Sequence, residues 1–237
     1  MSSQSIPQRK MPDKTIVELL DERISTRAFL DKPVSKEVLE QILRESAKSP
    51  SGSNMQPWKV YVLTGEKKAD LTNTVKNKIA AGKTEDSPEI AVYPEKLKSP
   101  YRERRYKCGM ALYGALGISK EDTAERKQRW IANFEFFDAP VAMIFTLDKQ
   151  MGCAQYLDLG IFLQSIMLLA QDFGLNTCPL LSWSAWPQTI REVVGIEQDE
   201  TAICAMALGY GDVEHAVNQY RTERCELHEY TEFYGFD

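Results

Sequence analysis

Two short stretches near the start of the chain hold residue types able to bind a ligand. Arg23-Ile24-Ser25-Thr26-Arg27 sets two guanidinium groups and two hydroxyls in one run. A guanidinium offers a planar fork of N–H donors and a hydroxyl adds another, so this run can grip a phosphate. The same cations could instead cap the end of a helix and pair with surface carboxylates. The second stretch is Pro50-Ser51-Gly52-Ser53-Asn54-Met55-Gln56-Pro57-Trp58. Its glycine permits close backbone approach, its serines and Asn54 supply donors and acceptors, and Pro57 fixes the exit into the next segment. By composition alone it is a polar connection between a helix and a strand.

Other reactive side chains form no constellation. His215 and His228 are the only histidines, and neither sits in a metal-ligand spacing. Cys108, Cys153, Cys178, Cys204 and Cys225 are odd in number, widely spaced and lack a CxxC pair, which suits a reducing compartment. Trp183, Trp186, Phe134, Phe136 and Phe137 could stack on a planar substrate, although such clusters more often fill cores. The basic run Arg102-Glu103-Arg104-Arg105-Tyr106-Lys107 could draw a phosphate or simply form a solvated helix face. With 29 Lys+Arg against 34 Asp+Glu the net charge is −5, so no global field attracts a nucleic acid.

The elements that must position these groups follow from periodicity. Ile16, Leu19, Leu20 and Ile24 recur at helical spacing, with Asp13 placed to cap the first turn. Ser35 is a good N-cap for a second helix through Val38, Leu39, Ile42, Leu43 and Ala47, ending before Pro50. Trp58 to Leu63 is a strand, stopped by Thr64-Gly65. Helical patterns surround Leu71-Val75-Ile79 and Met110-Leu112-Tyr113-Leu116, and the Pro- and Lys-rich stretch from Ser87 to Pro100 between them suits a lid or binding loop. Ala139 to Phe145 is a buried strand, Cys153 to Gly174 a long apolar helix, and Thr177 to Ser182 and Thr201 to Leu208 are strands flanking a helix with Ile190, Val193 and Val194. The apolar stretch from Leu157 to Ala170 is interrupted by Asp158, Gly160, Gln164 and Ser165 and is short of the roughly 20 apolar residues of a membrane span, so burial in a core is expected. Residues 1–10 lack the apolar region of a secretory signal and suit a mobile arm, which gives a cytoplasmic expectation. Strands mixed with longer helices, without repeat or linker, predict one α+β domain over 1–237, a sheet between helical layers.

Together, the Arg-x-Ser-x-Arg run and the Pro-Ser-Gly-x-Asn-x-Gln-Pro-Trp run resemble the signature of the flavin-dependent nitroreductase family. The resemblance continues through Asp158-Leu159-Gly160, Gly174-Leu175, Cys178-Pro179, Leu208-Gly209-Tyr210-Gly211-Asp212 and Arg221-Thr222-Glu223-Arg224. Tyr93-Pro94, Pro100-Tyr101-Arg102 and Asn133-Phe134 look like its nitroaromatic-reducing branch. It implies a three-layer α-β-α sandwich with a mostly antiparallel central sheet and a C-terminal extension exchanged in a homodimer. It further implies FMN at the subunit interface, with NADH or NADPH and a planar acceptor using one flavin face in turn. Arg23, Ser25, Arg27 and Arg224 would then surround the phosphate and ribityl chain, and Asn54 with Pro50 and Ser51 would reach the flavin of the other subunit. Backbone N–H groups after Pro179, at Leu181 and Ser182, would face the flavin N5 edge, although the family commonly has an acidic residue and Gly at that turn. Asp158 and Gln164 align with polar positions on the long helix. Other reactions on the same flavin (quinone, enone or reductive dehalogenation) and a flavin-binding protein without turnover remain alternatives.

Overall fold

Four strands form one antiparallel sheet in the computed structural model, which describes residues 14–236. They are β1 (Trp58–Leu63), β2 (Val141–Asp148), β3 (Asn176–Leu180) and β4 (Glu200–Gly209), in the order β1-β2-β4-β3. The two central strands are near-continuous apolar runs because helices cover both faces. Along β2 the side chains alternate. Ala142 and Ile144 join one core with Leu71, Val75, Trp183 and Ile190, while Met143 and Phe145 join the other with Ile42, Phe162 and Ile166. The first core is roofed by α3 (Gly65–Ala80) and α7 (Pro187–Val194), the second by α2 (Lys36–Ser46) and α6 (Cys153–Asp172). This is the expected α-β-α sandwich. The β2–β4 register slips once, between Phe145 and Thr146, which leaves Ile203 as an extra residue on β4.

Some boundaries differ from the sequence reading. The expected Asp13 cap and the arm of residues 1–10 lie outside the described residues. Thr15 is the N-cap of α1 (Ile16–Glu22), in a reciprocal capping box with Glu18. α1 stops before Ile24, because Arg23 already has extended backbone. The third strand ends at Leu180 instead of Ser182, since Leu181–Ala185 wind into a 3-10 turn. The middle of the chain holds α4 (Tyr101–Ala115) and also α5 (Thr123–Ile131), whose polar sequence hid it. α6 spans 20 residues, so length and composition alone would let it cross a membrane, contrary to the shorter reading. One stripe, Leu159, Phe162, Ile166 and Ala170, packs on the sheet, while Leu157 on another side is 69% exposed.

The stretch from Ser87 to Pro100 carries no regular element, and its entry is fastened. α7 has no N-cap side chain of its own. Asp86 supplies one from the loop: its carboxylate accepts from Gln188 N at 3.2 Å, from Thr189 N at 2.7 Å and from the Thr189 hydroxyl, while its own N–H donates to Ala185 O at 2.8 Å. Asp86→Ala is expected to lower stability by about 2 kcal/mol, the upper end for loss of a cap. A fall in melting temperature with faster amide exchange at Gln188 and Thr189 would match; an unchanged melt would show that the clamp contributes nothing.

Candidate functional site

Beyond α1 the chain runs extended along the edge of the sheet. Ser25 bridges Thr177 of β3, and Thr26 N donates to Thr177 O at 3.0 Å. Further on, Leu30 N donates to Tyr210 O and Asp212 N to Ala28 O, at 2.8 and 3.0 Å. In extended backbone, residues two apart point the same way, so Arg23, Ser25 and Arg27 share one side and Thr26 turns inward to full burial. The shared side faces a cavity of about 500 Å³ that is also lined by Tyr220, Arg221, Thr222 and Arg224 from the C-terminal segment. The structure therefore brings together the four phosphate-site residues expected from the sequence.

The far end of the chain holds this segment in place. Asn218, next to last in α8 (Ala216–Gln219), accepts from Arg27 N at 2.8 Å and donates to the carbonyls of Ala28 and Asp212 at 2.8 and 2.7 Å. Gly211 approaches so closely that a Cβ there would lie 2.8 Å from Asn176 Oδ1, the acceptor of its own N–H at 3.0 Å. Gly209 is similarly confined, with a Cβ falling 2.5 Å from Pro140 Cδ. These contacts explain the glycine pair of the Leu208–Asp212 run.

The cavity wall is mainly cationic: Asp21 is its one acidic lining residue among the described residues, against Arg23, Arg27, Arg221 and Arg224. The Arg23 N–H donates to Leu19 O at 3.1 Å, but its guanidinium makes no hydrogen bond or ion pair among the described residues, and burial, then the Arg224 guanidinium, holds it below the ordinary arginine range. Arg27 donates to Ser25 O at 3.2 Å and Tyr220 Oη at 3.0 Å, and Arg224 to Thr222 Oγ1 at 2.7 Å. No carboxylate pairs with any of the three among the described residues, so the surface ion-pair alternative does not describe them. Sequence reasoning missed Asn218, Tyr220 and also Arg129 of α5, whose Nη2 donates to Arg27 O at 3.3 Å. None of the three carried a signal in composition or spacing, because each meets the Arg23–Arg27 segment from about a hundred residues or more away.

Pro50, Ser51 and Asn54 form a separate group. Gly52–Asn54 make one 3-10 turn, and Ser53, Asn54 and Gln56 take left-handed φ of 51°, 56° and 49°, a costly run for residues other than glycine. Internal bonds lock it: Gln56 N donates to Ser51 Oγ at 2.9 Å and Asn54 N to Ser51 O at 2.9 Å. The buried Asp158 anchors it to α6 by accepting from Gly52 N at 3.1 Å, and its other oxygen has no partner. The Asn54 side chain is exposed and makes no hydrogen bond among the described residues. By contrast, Glu22 at the end of α1 is tied to Gln171 of α6. At 1.5 Å per residue, Asp158 and Gln171 stand about 20 Å apart along that helix. Within one chain the structure does not unite the Asn54 loop with the arginine cavity.

Pro179 lies in β3, two residues beyond the Ser25 bridge, and Leu181 and Ser182 follow at its end, about 13 Å along the strand at 3.3 Å per residue. Leu181 is exposed, and Ser182 Oγ is buried without a partner. Trp183, Trp186, Phe134, Phe136 and Phe137 are all core residues, exposed by 4% or less, so none of them is a free platform for a substrate. The Arg102–Lys107 run lies on α4, where Arg104 pairs with Glu229 and Lys107 with Glu223, a solvated face. His215 Nδ1 accepts from Val217 N, and no group of metal-binding side chains occurs among the described residues.

Known proteins resemble this chain in sequence and fold. Residues 20–210 match the family model described as Nitroreductase family. The chain is 39% identical to the 4-nitrobenzoate reductase of Pseudomonas putida, over 91% of this chain and 93% of that protein. It is 37% identical to the chloronitrobenzene nitroreductase of Comamonas testosteroni, over 94% and 99%. The crystal structure of NfnB from Sphigopyxis sp. strain HMH, an FMN and NADPH-dependent nitroreductase, superposes with a TM-score of 0.92 at 36% identity, covering 94% of this chain and 100% of that one. With residues 20–210 matched by that family model, and relatives at 37–39% identity covering nearly all of both chains, the chain belongs to the nitroreductase family.

Proposed function

We propose that this chain is an FMN-dependent oxidoreductase that takes a hydride from NADH or NADPH and reduces nitroaromatic or related planar acceptors, working as a homodimer. The observation that carries the reading is the cavity in which Arg23, Arg27 and Arg224 converge with no carboxylate partner. Such a wall fits a terminal phosphate, because unpaired guanidinium groups in a partly buried site are stabilised by a dianion. When bound, FMN supplies the two-electron chemistry that no side chain here performs. The protein's task is to bind and orient it. Arg23, Ser25, Arg27 and Arg224 hold the phosphate end, while Leu181 and Ser182, past Pro179, present backbone N–H groups toward the ring.

A second copy would complete the site. Asn54, carried with Pro50 and Ser51 on a strained, locked loop, has a side-chain amide without a partner among the described residues and stands far along α6 from the arginine cavity of its own chain. The outward side of α6 exposes Leu157 and Tyr156, and the C-terminal extension exposes Tyr230, Phe233, Tyr234 and Phe236. Apolar surface of this kind suits a homodimer with exchanged extensions. The five free cysteines suit a cytoplasmic setting.

Purified protein is expected to be yellow and to release FMN on denaturation. Since one pocket serves reductant and acceptor in turn, initial rates with NADPH or NADH and 4-nitrobenzoate or nitrobenzene should give parallel double-reciprocal plots. Protein that takes up no FMN would overturn the cofactor assignment. Bound flavin that neither reductant reduces would favour binding without turnover.

A further inference from the structure

Arg129 stands behind the phosphate cavity and is unused by the reading above. α5 presents it on the same face as Arg126, and its Nη2 donates to the main-chain carbonyl of Arg27 at 3.3 Å. Its guanidinium lies 4.7 Å from the centre of the Phe137 ring, its Nε is buried without an acceptor, and no carboxylate pairs with it among the described residues. Burial, then the neighbouring Arg27, holds it below the ordinary arginine range. Beneath it lies the buried Cys178 of β3, near enough to feel Arg27, Arg129 and Arg23 together.

The seat under Arg129 is itself unusual. Phe136, Phe137 and Asp138 are consecutive non-glycine residues with φ of 54°, 54° and 62°. L-residues resist that conformation, and the run persists here because Phe136 stacks on the buried Trp183 at 4.6 Å between ring centres. The turn delivers the Phe137 face to a cation instead of to the bulk core. A half-buried guanidinium lacking both a counter-ion and one acceptor is costly unless an anion compensates it.

We infer that Arg129 is a positioning residue for the cofactor phosphate, fixing the Arg27 main chain from behind and placing a positive charge behind the cavity wall. The inference rests on the FMN reading. A purely structural alternative, cation–π packing of α5 on the Phe137 turn, would make Arg129 matter equally for any flavin. Riboflavin separates the two, because it carries the ring and ribityl chain without the phosphate.

The test measures FMN and riboflavin affinities by fluorescence titration of flavin-free protein, for the natural chain, Arg129→Gln and Arg129→Lys. Arg129→Gln is expected to weaken FMN about tenfold, the loss of one charge-mediated interaction, and to leave riboflavin within about twofold. Arg129→Lys, which keeps the charge but not the planar fork, should recover part of the FMN loss. Equal losses for both flavins, or no loss for either, would overturn the assignment. If Arg129→Gln does not fold, Arg129→Lys alone decides, by the same comparison of FMN with riboflavin. A natural chain that does not prefer FMN to riboflavin would instead refute the cofactor reading, so the two failures are distinguishable.

Discussion

Arg23→Ala is expected to weaken FMN binding about a hundredfold, because a charge-assisted contact contributes roughly 1.5–3 kcal/mol and its loss also leaves phosphate charge uncompensated. Arg23 is the informative position among the cavity arginines. Arg27 bonds to Tyr220 and Arg224 to Thr222, so removing either would also disturb the protein around it. The Arg23 side chain has no such ties, and its burial, then the neighbouring Arg224, already disfavours its charge. The flavin-free melting temperature should therefore stay level or rise slightly, while the increase on adding FMN shrinks. Fluorescence titration and paired thermal melts read both quantities. An unchanged dissociation constant would remove Arg23 from the phosphate site.

The second large effect is expected from Leu157→Glu. Leu157 is 69% exposed on α6, beyond the stripe that packs on the sheet, so a carboxylate there costs the isolated chain little. In a symmetric dimer the position occurs twice, and losing two buried leucines at about 2 kcal/mol each corresponds to roughly a thousandfold rise in the dimer dissociation constant. FMN content should fall with dimer content, since the Asn54 loop and the arginine cavity belong to different ends of α6. Sedimentation and flavin absorbance on one sample check the coupling. A variant that remains dimeric with full flavin would place Leu157 outside the interface; a monomer with full flavin would show that one chain suffices.

Much of this architecture was legible in the residues. β2 and β4 are apolar runs with few polar interruptions, and α2 carries its apolar stripe behind a serine cap, so local pattern and tertiary burial agree there. The side-by-side placement of Arg23, Ser25 and Arg27 was not legible from periodicity, which carried the first helix on to Ile24 when the chain is already extended at Arg23. α5 was hidden since none of its residues is fully buried and only Trp130 and Ile131, at its end, pack on the core, too few apolar positions to show a helical period. Asp86 capping α7, Asn218 clasping Arg27 and Arg129 behind the cavity escaped for another reason: each joins residues far apart in the chain, which composition and spacing do not encode. The aromatic cluster illustrates the reverse limit, as Trp183 and its neighbours have the chemistry of a substrate platform but the burial of a core.

The Asn218 clasp sets an order on the chain's own synthesis. Arg27 emerges early from a ribosome, yet its N–H waits for an acceptor 191 residues later. The helices and strands between can form while the arginine segment still lacks its final ties, and contacts of such long separation close late because the intervening loop entropy must be overcome first. A nascent chain released before Asn218 would carry every arginine of the N-terminal run without the geometry that aligns them. On the FMN reading, cofactor loading would then follow translation, and retained flavin would report that both ends of the cavity have met.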